Sequence, residues 1–242
     1  MKSLLNIILS FFIVVAVTGD VQSQITAGKI TYERKTNLYK KFKDDDVLDW
    51  INKTDKIKID YFELYFNDSI SAFKERENDE RDYMSWYTEK NKVYQNFKQN
   101  TRLTIKTIWS EFVYLGDSLY PRSWKITDSK RNIGGYTCRK AVWEAPDSSR
   151  IYAWYCDEIS VSTGPESFIG LPGAILGLAT EDGGVIYFAT RIETIAPAIE
   201  DLLPKKSKSK VYNPVELKAK LEKDYGKEKW GKAMIKKTFG YW

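Results

Sequence analysis

The chain has 242 residues, a length that suits one domain with a sizeable core, and 14% of them are aromatic, including 8 Trp and 16 Tyr. It has no histidine and two cysteines, which removes the commonest general base and metal ligand near neutral pH and excludes an ordinary zinc site. Charge is uneven, because the whole chain is +5 whereas residues 205–242 alone carry 12 Lys against 4 acids. This composition favours an aromatic-rich β fold and argues against histidine-dependent catalysis.

The first 23 residues have the order of a secretory signal peptide. Met1 and Lys2 precede an almost unbroken apolar run at 4–17, and Val21 and Ser23 suit a cleavage site. The run is about 14 residues long, short of the roughly 20 that span a bilayer. The sequence therefore predicts an exported protein, with an uncleaved anchor as the alternative.

Alternating apolar and polar residues predict a series of short strands with no intervening helix of useful length. The fold class that follows is mainly β, a single antiparallel, strongly curved sheet (an open half-barrel) with a C-terminal α-helix. A short helical excursion is expected near 38–53, and a charged exposed loop at 74–82. The predicted strands are 28–36, 57–73 with a turn or bulge at Asn67 and Asp68, 83–90, 92–100, 102–114, 124–127, 136–145, 150–159, 175–180 and 185–195.

The C-terminal part of the chain carries the signals of a helix start. Asn213 can cap the helix, Pro214 suits its first turn, and Glu216 stands at the third position. Gly226 is expected to break or kink the helix. Leu217, Leu221 and Tyr225 form its apolar stripe, and Trp230 and Met234 belong to a second piece. The lysine-rich tail either contacts an anionic membrane surface or is a solvated helix, and nucleic acid is not an expected partner of an exported protein.

Two stretches resemble enzyme motifs without the residues that those motifs need. The segment GDSL, Gly116 to Leu119, marks one class of lipases and esterases, in which a histidine activates the serine, but this chain has no histidine and a turn is expected there. The glycine-rich segment at 164–177 lacks the lysine of a phosphate-binding loop. The acidic runs at 44–46 and 77–82 could at most form a weak calcium site. We therefore predict no catalytic residue, no metal and no cofactor.

The two cysteines, Cys138 and Cys156, lie on consecutive predicted strands. A four-residue turn at 146–149 would place Cys138 opposite Asp157, and one residue of looseness would place it opposite Cys156. Directly opposed cysteines are within disulfide range, and export permits the bond. The alternatives are a disulfide between Cys138 and Cys156 or buried thiols.

The segment 164–177 holds four glycines and two prolines, which prescribes its backbone shape. Gly164 and Pro165 turn the chain, Phe168 returns to the core, and Pro172 and Gly173 suit a type II turn. The segment is expected to be a rigid loop that either only sets topology or rims a ligand groove. The candidate binding residues are Trp154, Tyr155, Gly164, Pro165, Glu166, Phe168, Gly170, Leu171, Pro172 and Gly173.

Several separated motifs occur in one order: WKI at 124–126, GYTCRKA at 135–141, YAWY at 152–155, and ISVS, GP and GLPG between residues 159 and 173. In these the chain resembles the GLPGLI family of exported Bacteroidetes proteins, also called the Porph_ging family, although Ala174 stands where the family name has leucine. The resemblance implies a GLPGLI-type β domain at 24–204, before a basic helical tail at 205–242. It implies a place in the periplasm or at the periplasmic face of the outer membrane, and it implies no particular reaction.

The functional expectation is non-enzymatic binding of an apolar ligand or of an envelope protein partner. Abundant aromatic residues suit a hydrophobic pocket, and the lack of histidine disfavours catalysis. The alternative is a carboxylate- or metal-dependent hydrolase, which would need two or more acids in one cleft.

Overall fold

The computed structural model describes residues 24–42, 48, 51, 56–76 and 85–240. The predicted signal peptide and both acidic runs lie outside the described residues. Of the expected helical excursion, the described part contains α1, Leu38–Lys41, which Asn37 caps by accepting a hydrogen bond from the Lys40 N–H at 3.2 Å.

The described residues form one sheet of twelve strands, in the order β12-β6-β5-β4-β3-β2-β1-β11-β10-β9-β8-β7. All neighbouring pairs are antiparallel except β12 and β6, which are parallel, so the predicted purely antiparallel sheet is corrected at this edge. The strands are β1 Gly28–Asn37, β2 Ile57–Phe66, β3 Ile70–Glu75, β4 Lys92–Asn96, β5 Thr101–Ile108, β6 Glu111–Ser118, β7 Lys125–Ile133, β8 Tyr136–Glu144, β9 Arg150–Cys156, β10 Ala174–Thr180, β11 Val185–Glu193 and β12 Val211–Tyr212.

The sheet is strongly curved and remains open. Two strands separate β7 from β10, which would place them about 14 Å apart in a flat sheet. Yet Ile133 of β7 lies 3.1 Å from the position that a Cβ on Gly177 of β10 would occupy. The end strands β12 and β7 do not pair with each other. The predicted class, a mainly β open half-barrel with helix at the C-terminus, is confirmed.

Two strand predictions are wrong for local reasons. Residues 102–114 form a hairpin and not one strand, because Trp109 and Ser110 both adopt positive φ and make a two-residue turn. Residues 85–87, predicted as strand, form a 3₁₀ turn. The GDSL segment is not a turn, since Gly116 to Ser118 belong to β6 and Gly116 leaves room for Val211 of β12.

The side of the sheet that carries Tyr32, Arg34, Asp60, Phe62 and Tyr187 is the concave one, here called the inner face. Its core is aromatic near the middle of the sheet, where Phe62 stacks on Phe73 with ring centroids 4.9 Å apart. The loop between β9 and β10, residues 157–173, lies in the same core with buried Phe168 and Leu171. The half-barrel is therefore filled from within by its own loop.

The C-terminal helices cover the inner face at the end of the sheet formed by β5 and β6. After α2, Ile199–Leu202, the chain forms α3, Pro214–Tyr225, and α4, Lys229–Thr238. Asn213 caps α3 by accepting from the Glu216 N–H at 2.8 Å, and Gly226 ends it, as predicted. Leu217, Leu221 and Ile235 pack on Leu115 of β6. No helix among the described residues is long and apolar enough to cross a membrane.

Candidate functional site

Two charged residues occupy inner-face positions that the strand alternation reserves for the core. Arg34 follows Ile30 and Tyr32 on β1, and Asp60 precedes Phe62 and Leu64 on β2. Both are buried, and the register pairs them directly across the two strands. Burying charge is costly unless it is paired, so their partners decide what this part of the protein does.

Asp60 is fully engaged by cations and a hydroxyl. Its Oδ2 accepts from Arg34 Nη2 at 2.6 Å, Arg34 Nε at 3.2 Å and Thr88 Oγ1 at 2.9 Å. Its Oδ1 lies 2.6 Å from Lys90 Nζ and 3.0 Å from Lys58 Nζ. Burial alone would raise the pKa of Asp60, but the charges and hydrogen bonds of Arg34 and Lys90 hold it well below its usual range.

Glu166 enters the same cluster from the loop between β9 and β10. It is 3% exposed and adopts φ +56°, a left-handed conformation that costs a non-glycine residue energy. Tyr187 Oη donates to its Oε1 at 2.8 Å and Asn91 Nδ2 donates to its Oε2 at 3.1 Å, while Arg34 Nη1 lies 4.0 Å from Oε1. Burial and the Glu166 charge raise the pKa of Tyr187 well above its usual value. Arg34 therefore stands between two buried carboxylates.

The segment 120–124 and the glycine corner at Gly173 fix the position of the loop between β9 and β10. Arg122 donates to the Ser167 carbonyl at 2.6 Å, and its guanidinium lies 4.2 Å from the Phe168 ring centroid. The Gly173 N–H bonds the Leu171 carbonyl at 2.8 Å, a three-residue turn and not the predicted type II turn. A Cβ at Gly173, where φ is +153°, would lie 2.1 Å from the Cys156 carbonyl oxygen. The corner therefore packs directly against backbone.

The predicted loop and rim residues are mostly core residues. A rim should be accessible, but of the ten candidates only two are exposed. Trp154 is half-buried on the outer face, where Arg131 lies 5.4 Å from its ring centroid. Gly170 and Pro172 are exposed, and Tyr155, Gly164, Pro165, Glu166, Phe168, Leu171 and Gly173 are buried.

Sequence reasoning missed the residues that give the inner face its polar chemistry. Arg34 and Asp60 could have been found, because each breaks an apolar alternation at a core position. Lys90 and Tyr187 carry no such signal, since only the tertiary fold brings them to Asp60 and Glu166. The acids that converge here are already paired, and the described residues contain no group of three or more potential metal ligands.

The two cysteines are free thiols in this structure, and both are buried. The turn between β8 and β9 is one residue longer than predicted, with Ser148 at φ +64°, so Glu144 and not Ala145 pairs with Arg150. Continuing that register places Cys138 opposite Cys156. Burial, with a contribution from Cys156, raises the pKa of the Cys138 thiol to about 12.

An aromatic patch lies where the β5–β6 hairpin meets the C-terminal helices. It consists of Trp109, Tyr225 and Trp230, whose ring centroids are 4.3 to 5.7 Å apart. Trp109 is 51% and Trp230 53% exposed. Trp109 has φ +48°, which is a rare conformation for a bulky residue and is usually left to Asn or Gly in such a turn. The turn thus holds an exposed indole at a conformational cost.

A groove between α3 and α4 lies on the same helices. Its walls carry four lysines and one acid, and its floor is apolar. The lining residues are Lys218, Glu222, Gly226, Lys227, Lys232, Ile235, Lys236 and Phe239. Such a groove is complementary to an acidic segment with apolar side chains.

Comparison with protein families gives one match, to the family described as "Protein of unknown function (Porph_ging)", over residues 143–177. This match confirms the Porph_ging resemblance. The Porph_ging segment runs from the end of β8 through β9 and the buried loop into β10, and so contains Glu166, Phe168 and Gly173. Among curated proteins none matches the chain significantly.

Solved structures share the fold at low sequence identity. PNGF-II in two crystal forms matches with TM-scores of 0.56 and 0.54 and identities of 19% and 20%, over 80% and 78% of this chain. The match covers 32% and 31% of PNGF-II, so this chain spans about a third of that protein's length. The complex of Pseudomonas aeruginosa MucA and MucB matches at 8% identity over 76% of this chain and 57% of that chain, with a TM-score of 0.39, which is too low to carry an argument. The likeness to PNGF-II shows the fold alone.

Proposed function

We propose that this is an exported cell-envelope protein, at the periplasm or the periplasmic face of the outer membrane, that binds an envelope protein partner without transforming it. The apolar run at 4–17 supports export. The observation that carries the binding proposal is the aromatic patch, because Trp109 is held half-exposed in a strained turn. Exposed Trp and Tyr clusters are the side chains that most often dominate protein interfaces.

The surroundings of the patch indicate the kind of partner. The lysine-lined groove between α3 and α4 favours an acidic surface, and the net positive charge of residues 205–242 would speed its approach. The apolar-ligand form of the proposal has less support, because Phe168 and Leu171 fill the inner face and Gly173 lies against the Cys156 carbonyl. The partner that suits this surface is therefore a protein with an acidic face and with pockets for the indole rings of Trp109 and Trp230.

A photo-crosslinking experiment tests this proposal. A benzophenone amino acid replaces Trp230 in the full-length protein. A second sample carries it at Trp86, which is 63% exposed and is not one of the patch residues. After irradiation of the native cell envelope, the crosslinked protein is identified by mass spectrometry and purified for binding measurements. We expect one envelope protein to be crosslinked from position 230 and not from position 86. Equal crosslinking from both positions, or none from either, would refute the proposal.

A further inference from the structure

The inner face of β4 and β5 carries two buried hydrogen-bond donors that have no acceptor among the residues that the structure describes. Gln95 is 3% exposed, and its Oε1 accepts from Ser71 Oγ at 3.4 Å, but its buried Nε2 has no partner among the described residues. Arg102, which pairs directly with Gln95, gives Nη2 to Asp117 at 2.8 Å, while its buried Nε is also without a partner. Buried donors normally find acceptors, so two neighbouring exceptions mark an incomplete group.

A lysine extends this donor set along β5. Arg102, Thr104 and Lys106 are alternate residues of β5, so their side chains stand on the inner face together. No carboxylate of the described residues lies within 4.0 Å of Lys106 Nζ. Burial lowers the pKa of Lys106 and the Arg102 charge lowers it further, while the charge of Glu166 acts in the opposite direction. Arg102 and Lys106 therefore share one largely dehydrated part of the inner face.

The carboxylates nearby are already used. Asp117 is held by Arg102, and Glu166 by Tyr187 and Asn91. Asp60 is surrounded by Arg34, Lys58 and Lys90. What the Gln95, Arg102 and Lys106 group lacks is an acceptor with negative charge, and the Arg102 side chain, 15% exposed, opens the group to solvent on the Asp117 side.

We propose that Gln95, Arg102 and Lys106 form a binding site for an oxyanion, a carboxylate or phosphate group, on the inner face of the half-barrel. Gln95 Nε2 and Arg102 Nε donate to its oxygens, and Lys106 supplies charge. Charge-assisted hydrogen bonds from fixed donors are the usual means of holding such groups. This site is separate from the aromatic patch and does not depend on the proposed protein partner.

Nitrogen-15 NMR of the full-length protein tests the site directly, because the Arg Nε–H and Gln Nε2–H₂ signals report on the two unpaired donors. The probes are inorganic phosphate and acetate, titrated separately at constant ionic strength. We expect the Arg102 Nε–H and Gln95 side-chain signals to shift with saturation, while Arg150, an exposed arginine paired with Glu181, does not. Saturation by phosphate alone or by acetate alone identifies the source of the oxyanion, and saturation by both supports the shared chemistry.

Two variants separate binding from folding. Gln95→Leu and Lys106→Met keep side-chain volume but remove a hydrogen-bond donor. Each should therefore lower the affinity for the phosphate or acetate probe by at least about tenfold. Lys106→Met should not lower the unfolding temperature, since Lys106 forms no ion pair with the described residues. Gln95→Leu should lower it only slightly, since it removes the long 3.4 Å hydrogen bond that Ser71 Oγ donates to Gln95 Oε1. Unchanged affinity in both variants, or no saturable shift with either probe, would overturn the site. Lost binding together with lower unfolding temperature in both variants would also overturn it, as it would assign the residues a structural role.

Discussion

Asp60 is the residue whose partners most constrain the middle of the sheet. Four side chains meet its carboxylate, and one of them, Arg34, also approaches Glu166 from the buried loop. The cluster therefore ties β1 and β2 to the loop between β9 and β10. Its carboxylates are saturated with donors, which suits a structural connection better than proton transfer.

Asp60→Asn should lower the free energy of unfolding by about 3–5 kcal/mol at neutral pH, because Arg34 would lose its buried counter-charge. Chemical denaturation measures this change. Glu181→Gln is the control, since it breaks an exposed pair with Arg150 and should leave stability unchanged. An equal effect of the two substitutions would contradict the role given to Asp60.

The pH dependence of stability follows from the same carboxylate. Its pKa in the folded protein lies below the ordinary value of 3.8, so the folded state binds the proton less readily than the unfolded state. The contribution of Asp60 is then complete above about pH 4 and is lost as the pH falls below that value. Denaturation across this range should show a steeper acid loss in the wild type than in Asp60→Asn. Parallel acid curves would contradict the assignment.

The cysteines give a third prediction at this scale. Both thiols are buried, and the pKa of Cys138 is raised to about 12, so neither should react with a maleimide in the native protein at neutral pH. In denaturant without reductant, mass spectrometry should find two labels on protein isolated from its native cells. A protein that takes no label under those conditions would carry the disulfide that the opposed register allows.

At the scale of elements, the buried loop depends on a glycine corner. Gly173→Ala places a Cβ 2.1 Å from the Cys156 carbonyl oxygen, whereas Gly135→Ala, at φ +89°, meets nothing within 4 Å. Gly135→Ala should cost about 1–2 kcal/mol from the left-handed backbone alone. Gly173→Ala should cost clearly more or prevent folding, as measured by thermal and chemical unfolding. Similar costs for the two variants would show that the corner is not tightly packed.

Strands and helix starts could be predicted from the sequence where their signals are local in the chain. The strands from β8 to β11 and the start of α3 follow alternation and capping signals that are local in the chain, so they could be predicted. The hairpin turn at Trp109 and Ser110 could not, because these residues usually avoid the positive φ that both adopt here, and the contacts of Trp109 with Tyr225 and Trp230 are distant in the chain. The register shift near Ser148 has a local cause, because the Ala145 N–H bonds the Ser149 carbonyl and Ser148 adopts φ +64°, which the residue types of this turn did not indicate.

At the scale of the whole molecule, curvature decides what the candidate residues can do. The segment 164–173 was expected to set topology or to rim a groove, and its glycines and prolines gave no means of choosing. The curved sheet encloses the loop on its inner face, which turns Phe168 and Leu171 into core residues and leaves Gly170 and Pro172 at the surface. The approach of Glu166 to Arg34 arises from that enclosure, whereas Arg34 and Asp60 pair directly across β1 and β2.

Among the described residues, the C-terminal helices and the β5–β6 hairpin bring exposed aromatic side chains and a charged groove close together. Trp109 and Trp230 form an aromatic surface beside a groove lined by lysines on α3 and α4. The proposed partner-binding role depends on these two features acting together, since aromatic side chains supply affinity and charge supplies approach rate. An interface of this kind should weaken when either feature is removed.

The most direct test uses the partner protein that crosslinking identifies, in purified form. Its affinity is measured for the double variant Trp109→Ala/Trp230→Ala and for the control variant Trp86→Ala. Calorimetry on the folded variants should show at least about a thirtyfold loss for the double variant, which corresponds to two interface residues of about 1 kcal/mol or more each, and no change for Trp86→Ala. Equal affinities of the double variant, the control and the wild type would contradict the claim that this aromatic surface binds a protein partner.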